Sequence, residues 1–331
     1  MPGPSERQDI NGFKVLRLAY KRPMLWNRIF RHYQGLYEAI EIESPDIIFS
    51  HGVSFGDSSV LCKYLKKHPG VVLYADNHAD YVNSAKNWLS RHVLHPIIWR
   101  RSAKLLEPFM AKCWGVTPLR CQFLKEMYHI NPDIIGYLPM GVDDEAIPID
   151  RNHVRSCVRN DLCINSEDVL LFTGGKIDRL KNTHILIDAL QILNDSRLHL
   201  VICGVLTSEM EFIKNKIDSN PRIHYLGWCD AEKVMNCMIA ADFACFPGTH
   251  STLWEQSVGV GLPIICKQWH GMEHISVNGN CRFVKGEDVE DLRESLKEWA
   301  DPSTLQELRI LANEASELFL YSNISVKAIG L

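Results

Sequence analysis

The sequence predicts an α/β protein made of two doubly wound domains. Three observations predict it. Short apolar, β-rich runs alternate with amphipathic stretches along the chain, the order that builds parallel sheets from βα units. The alternation breaks at residue 139 and restarts at residue 169. A length of 331 residues suits two domains better than one.

In the first half the strand-like runs are 46–50 (DIIFS), 71–75 (VVLYA), 113–116 and 134–138. Helical periodicity covers 25–42 and 119–127. Residues 13–18 (FKVLRL) alternate as an edge strand does. Residues 139–166 are polar, and PMGVDDEAIPID within them holds two prolines and a cluster of acids, which reads as a linker. The domains are thus expected at 1–145 and 146–331. In the second half the strand-like runs are 169–173, 198–203, 223–226, 243–246 and 263–266. Helical patterns fall at 183–193, 209–217, 231–240 and 253–258, with two closing helices near 289–299 and 305–319. A doubly wound sheet binds its ligands beyond the carboxyl ends of its strands, so the loops there are where chemistry is expected.

Composition narrows the class. Hydrophobic residues are 46% and charged residues 23%, ordinary for a globular chain and against long disorder. No apolar run reaches the roughly 18 residues of a membrane span. The start, MPGPSERQDING, has no apolar signal core. A cytoplasmic location follows as the expectation. The 11 cysteines form no CxxC pair and mostly sit in apolar runs, so reduced thiols are expected, with no metal site or disulfide framework. Residues 1–140 carry a net charge of +6 and residues 141–331 a net charge of −10. The basic half therefore suits an anionic surface. Its basic, aromatic-laced stretches 22–33 and 88–101 suit peripheral contact with the inner face of a membrane. The alternative for both stretches is a pair of ordinary helices packed within the domain. No nucleic-acid partner is expected.

Two constellations carry chemistry in the second half. The first is residues 172–182, FTGGKIDRLKN, where a β-run ends at Gly174 and Gly175 and two lysines follow. Glycines let backbone approach a ligand closely. Lys176 and Lys181 can neutralise charge growing on a diphosphate leaving group. The second is residues 246–263, FPGTHSTLWEQSVGVGLP. Ser251 and Thr252 stand at the start of a short helix, where free amides favour an anion. Glu255, a turn later among small and apolar neighbours, can accept hydrogen bonds from ribose hydroxyls.

The order GGK-x4-K, LVICG ending at Gly204, LGW ending at Trp228, ADFACFPG and WEQSVGVGLPII resembles the donor domain of the retaining glycosyltransferases of family 4. Residues 140–143, MGVD, are similar to that family's neck motif, and the resemblance covers about residues 139–329. It implies the GT-B fold, two Rossmann-like domains facing a cleft, and a metal-independent transfer from a nucleotide sugar with no resident cofactor. The branch it points to builds bacterial capsule and lipopolysaccharide. It implies that the diphosphate meets Lys176, Lys181 and the Ser251–Thr252 helix start, and that Glu255 holds the ribose. Trp228 is then either a wall for the base or a buried structural tryptophan. The family's arginine is Lys176 here, and the first of its two glutamates falls on Pro247. Thr249, His250 or Ser251 is left to contact the sugar.

The first half resembles the family less. Residues 45–52 (PDIIFSHG) are similar to one of its strand ends, and 74–80 (YADNHAD) lie where many members carry a histidine at the cleft. His78 is therefore the acceptor-side candidate, with His51 second; the alternative for each is a structural histidine. The acceptor is expected to be a glycan or lipid-linked sugar. The family's first strand and glycine-rich loop are not recognisable before residue 11, so the N-terminal domain is expected to lack that strand, with 13–18 as a substitute edge. A rival reading is a binding-only partner subunit, and another is a GT-B epimerase or phosphorylase.

Overall fold

The computed structural model describes residues 6–10, 12–21, 27 and 29–330. The chain divides into two compact units: Met1–Leu138 with Ala328–Leu331, and Pro139–Lys327. Parts of two sequence expectations, the helix over 25–42 and the basic stretch 22–33, lie outside the described residues.

The first unit opens with a hairpin, β1 (Glu6–Ile10) against β2 (Phe13–Arg17), paired antiparallel. This corrects the edge-strand expectation. Residues 13–17 pair with the segment before them, not with the domain's sheet. That sheet has four parallel strands, β3 (Ile47–Ser50), β4 (Val72–Asn77), β5 (Met110–Gly115) and β6 (Ile135–Tyr137), in sequence order. Helices Ser58–Lys67 and Pro118–Glu126 follow β3 and β5. The latter starts where sequence rules place it: the Thr117 hydroxyl caps the Arg120 amide and proline takes the first turn. Between β4 and β5 the chain forms a π-helical segment, Ser90–Trp99, that runs into the α-helix Arg100–Leu106. Pro96 sits inside it, where a proline removes an amide donor, and a wider turn accommodates that loss.

The second unit holds six parallel strands, β7 (Val169–Gly174), β8 (Leu198–Cys203), β9 (Ile223–Gly227), β10 (Phe243–Phe246), β11 (Ile264–Lys267) and β12 (Cys281–Val284). Their order is β12-β11-β10-β7-β8-β9. Every residue of β7 is buried, as a parallel strand covered on both faces requires. The period of two divides the strand residues between two cores. Leu171, Leu200, Phe243 and Ile265 enter one, and Leu170, Phe172, Val201 and Ala244 enter the other. The chain first builds outward from β7 through β8 to β9. It then crosses back to lay β10 on the other side of β7, so the switch point lies between β7 and β10.

The polar stretch that follows the expected linker contains structure. Residues Arg151–Asp161 form a helix, capped by the Asp150 carboxylate on the His153 amide. Its apolar face is narrow, with Val158 on the core, and arginines tie the rest of it down. Arg155 donates to the Ala240 and Ala241 carbonyls, and Arg159 to those of Asn165 and Asp168. Both reach the buried carboxylate of Asp242, which Arg309 also contacts and which accepts the Leu170 amide at 2.7 Å.

Candidate functional site

The two constellations of the second unit flank its switch point. Gly174 closes β7 and Pro247 follows β10. At this end the backbones approach too closely for side chains. A Cβ on Gly204 would lie 1.8 Å from the Gly175 carbonyl oxygen, and one on Gly174 would lie 2.7 Å from that of Cys203. Gly175 donates its amide to the Cys203 carbonyl at 2.8 Å, and its φ of 100° is open to glycine. The two loops are joined in the same manner. A Cβ on Gly248 would meet the Lys181 backbone at 2.3 Å, and the Thr249 amide donates to Leu180 at 2.9 Å. Asn182 donates to the Pro247 and Gly286 carbonyls from a buried position.

The two lysines differ. Lys176 is exposed. Lys181 spends its ammonium on the carbonyls of Thr249, at 2.7 Å, and His250, at 3.2 Å, and burial holds its pKa below the usual value. It therefore straps the second loop to the first and keeps its charge at the loop's neck.

Glu255 lies in helix Leu253–Gly259 and is 0% exposed. Its Oε1 accepts from His250 Nε2 at 2.7 Å and from His274 Nε2 at 2.9 Å. Burial pushes the carboxyl up, but the two histidines outweigh it and bring the pKa down to about 2, so Glu255 is an anion at any working pH. Its Oε2 is buried and has no hydrogen-bond partner among the described residues, and the same holds for the Ser251 hydroxyl and the Trp254 indole N–H. Three such atoms so close in sequence are unusual, since buried polar groups are nearly always paired. Thr252 takes the cap position of this short helix, with no side-chain cap bond. Trp228, after the Gly227 turn, is 75% exposed, which removes the buried structural reading and leaves the base-wall reading open.

In the first unit the ends of β3 and β4 bring His51, Asp76 and His78 together. Asp76 Oδ2 meets His51 Nδ1 at 2.8 Å and His78 Nε2 at 3.0 Å, while Oδ1 accepts the Gly52 amide at 2.7 Å. Burial pushes the Asp76 carboxyl up and the histidine hydrogen bonds bring it down to about 2. The Asp76 hydrogen bond raises the His51 pKa. Both histidines line a cavity of about 580 Å³ together with Ser54, Asn77 and Asn83.

Sequence reasoning missed Asp76, Asn182, Gly248 and His274. Asp76 had a signal, because residues i and i+2 of a strand point the same way and His78 follows it at that spacing. His274 had none, since it reaches Glu255 only through the fold.

Residues 155–316 match the family described as glycosyl transferases group 1. No curated protein matches the chain. Solved structures share the fold. HepE of Anabaena, in complex with UDP, is 14% identical with a TM-score of 0.68 over 88% of this chain and 79% of that one. Sucrose-phosphate synthase of Thermosynechococcus elongatus is 14% identical with a TM-score of 0.66 over 97% and 82%. WaaG, a glycosyltransferase involved in lipopolysaccharide biosynthesis, is 19% identical with a TM-score of 0.59 over 82% and 80%. The fold is therefore α/β with two Rossmann-like domains, in the GT-B class. The chain is a glycosyltransferase: residues 155–316 carry the group 1 glycosyl transferase domain.

Proposed function

We infer that the chain transfers a sugar from a nucleotide-sugar donor to a glycan or lipid-linked acceptor in surface polysaccharide synthesis, with retention of configuration and without a divalent cation. The observation that carries this reading is the placement of both motifs at the switch point between β7 and β10, where doubly wound sheets bind nucleotides. The orphaned Oε2 of buried, anionic Glu255 is an acceptor awaiting a donor, and a ribose hydroxyl supplies one. Lys176 supplies charge for the departing diphosphate, and Lys181 and the Ser251–Thr252 turn frame it. Charge supplied by lysines takes the place of a cation bridging the phosphates. On this reading His250, fixed on Glu255, stands in the loop where the family's first glutamate is missing and is the candidate for the sugar hydroxyls. On the first unit His78, oriented by Asp76, is the candidate for the acceptor side.

No helix of the described residues is long and apolar enough to cross a membrane. The segment after β4 nevertheless exposes Trp88, Leu89 and Ile97 beside Arg91, Arg101 and Lys104. That mixture favours peripheral contact with an anionic bilayer, where lipid-linked acceptors reside.

HepE holds UDP, so UDP and UDP-sugars are the first ligands to test by thermal shift. The product's anomeric configuration is then read by NMR against that of the donor. Inversion would overturn the retaining reading. Loss of activity in EDTA, restored by magnesium or manganese, would overturn the metal-independent one. Conversion of a sugar nucleotide with no acceptor present would point to an epimerase instead.

A further inference from the structure

We propose that His51, Asp76 and His78 form a binding site for one divalent transition-metal ion of the zinc type. One ligand atom from each residue converges, and the three lie within 4.8 Å of one another. Two separations are already 2.8 and 3.0 Å. Ligands about 2.0–2.2 Å from a tetrahedral ion stand roughly 3.4 Å apart, so each hydrogen bond needs to open by only about 0.5 Å. The donors are held by the sheet: His51 follows β3, Asp76 and His78 end and follow β4, and these strands pair in parallel from Ile47 with Val72 to Ser50 with Ala75. The Gly52 amide fixes the other carboxylate oxygen, the kind of outer hydrogen bond that orients metal ligands.

The donor set chooses the ion. Two imidazoles and one carboxylate suit zinc, cobalt, nickel or iron(II), whereas magnesium and calcium take oxygen ligands. The carboxylate is an anion and brings one negative charge. Each histidine offers the nitrogen that now meets Asp76, and on binding that nitrogen's proton moves to the other ring nitrogen or, from a doubly protonated ring, is released. The cavity beside the histidines leaves room for a fourth ligand such as water, and the His51 side chain is 73% exposed, which opens a path for entry. A second cluster, His250, Glu255 and His274, also converges, but its side chains are 10%, 0% and 2% exposed, and the reading above already gives Glu255 and His250 to the donor. The proposal rests on the first unit alone. It assigns the ion no part in breaking the donor bond and is independent of the cation-free reading above.

The test is a titration of the full chain with zinc chloride by calorimetry, repeated with cobalt(II) and read by its visible absorption. The expected result is one ion per chain at this site, with affinity at least about tenfold weaker in Asp76→Asn and in His51→Ala. His51→Ala changes an exposed side chain, so its effect is separable from misfolding, and circular dichroism checks both variants. No zinc binding, or equal binding by wild type and both variants, overturns the proposal. Binding that survives both changes but disappears in His274→Ala places the ion on the second unit and also overturns it.

Discussion

At the scale of residues, the proposed donor site turns on one buried carboxylate. Glu255→Gln keeps the volume and removes the charge that two imidazoles share. A hydrogen bond to a charged group contributes about 1.5–3 kcal/mol. The variant is therefore expected to bind its best nucleoside diphosphate about 10- to 100-fold more weakly, as read by calorimetry. Unchanged affinity would remove Glu255 from the donor site. Glu255→Ala is a poorer probe, because it leaves His250 and His274 facing an empty buried space, and that costs stability as well. Lys181 poses a different question, since its ammonium holds the carbonyls of Thr249 and His250. If that strap also faces a departing diphosphate, Lys181→Ala lowers kcat and kcat/KM together, by about 100-fold. A rise in KM with kcat unchanged would reduce it to a loop tether. Both residues were legible in the sequence as members of motifs. What each touches was not, because His274 and the carbonyls of the second loop come from elsewhere in the chain.

At the scale of elements, legibility followed apolarity. Strands β7, β8 and β10 are mostly apolar runs, and their bounds are readable within a residue. β12 (CRFV) is short and holds an arginine, and the helix Arg151–Asp161 sets only Val154, Cys157 and Val158 among polar residues, so neither offers much apolar signal. The β8–β9 pair also carries a titratable element the sequence does not announce. His199 Nδ1 and His224 Nε2 are 3.1 Å apart, and the rings stack at 5.4 Å. Burial, then the neighbouring His199, hold the His224 pKa down to about 4, and burial also lowers that of His199. The unfolded chain, with histidines near pH 6.5, then binds more protons than the folded one between about pH 6.5 and 4. Stability is full above the unfolded value and falls as pH drops through this window. Both histidines are partly exposed, so the loss is discounted to about 1 kcal/mol, or about 2–4 °C in Tm. Melting curves at the two ends of the window are expected to show that extra fall in wild type and a smaller one in His224→Gln. Equal falls in both would exclude the pair as its source.

At the scale of the whole molecule, the second unit's boundary is set by packing and not by the polar stretch that marked it in the sequence. Residues 140–145 look like linker, yet Val142 is buried in the second unit's core. Its amide donates to the Phe319 carbonyl at 2.8 Å, and its carbonyl accepts from Tyr321 at 2.9 Å. Gly141 packs so closely on Phe319 that a Cβ would lie 2.1 Å from that carbonyl oxygen. The neck is thus a short strand-like seam closing the second unit against its last helices. The chain then returns to the first unit, where the Trp114 indole donates to the Ala328 carbonyl at 3.0 Å. Residues 139–327 are therefore expected to fold alone and bind nucleotide, with a single cooperative melt. A chain beginning at residue 146, the boundary read from composition, loses the burial of Val142, worth about 1.5–3 kcal/mol, and two backbone hydrogen bonds of about 1 kcal/mol each. Its Tm is expected to be lower by roughly 7–20 °C, with nucleotide affinity retained while it is folded. Equal melting temperatures for the two chains would show that the seam contributes nothing. Failure of the 139–327 chain to bind any nucleotide that the full chain binds would show that the donor site needs the first unit.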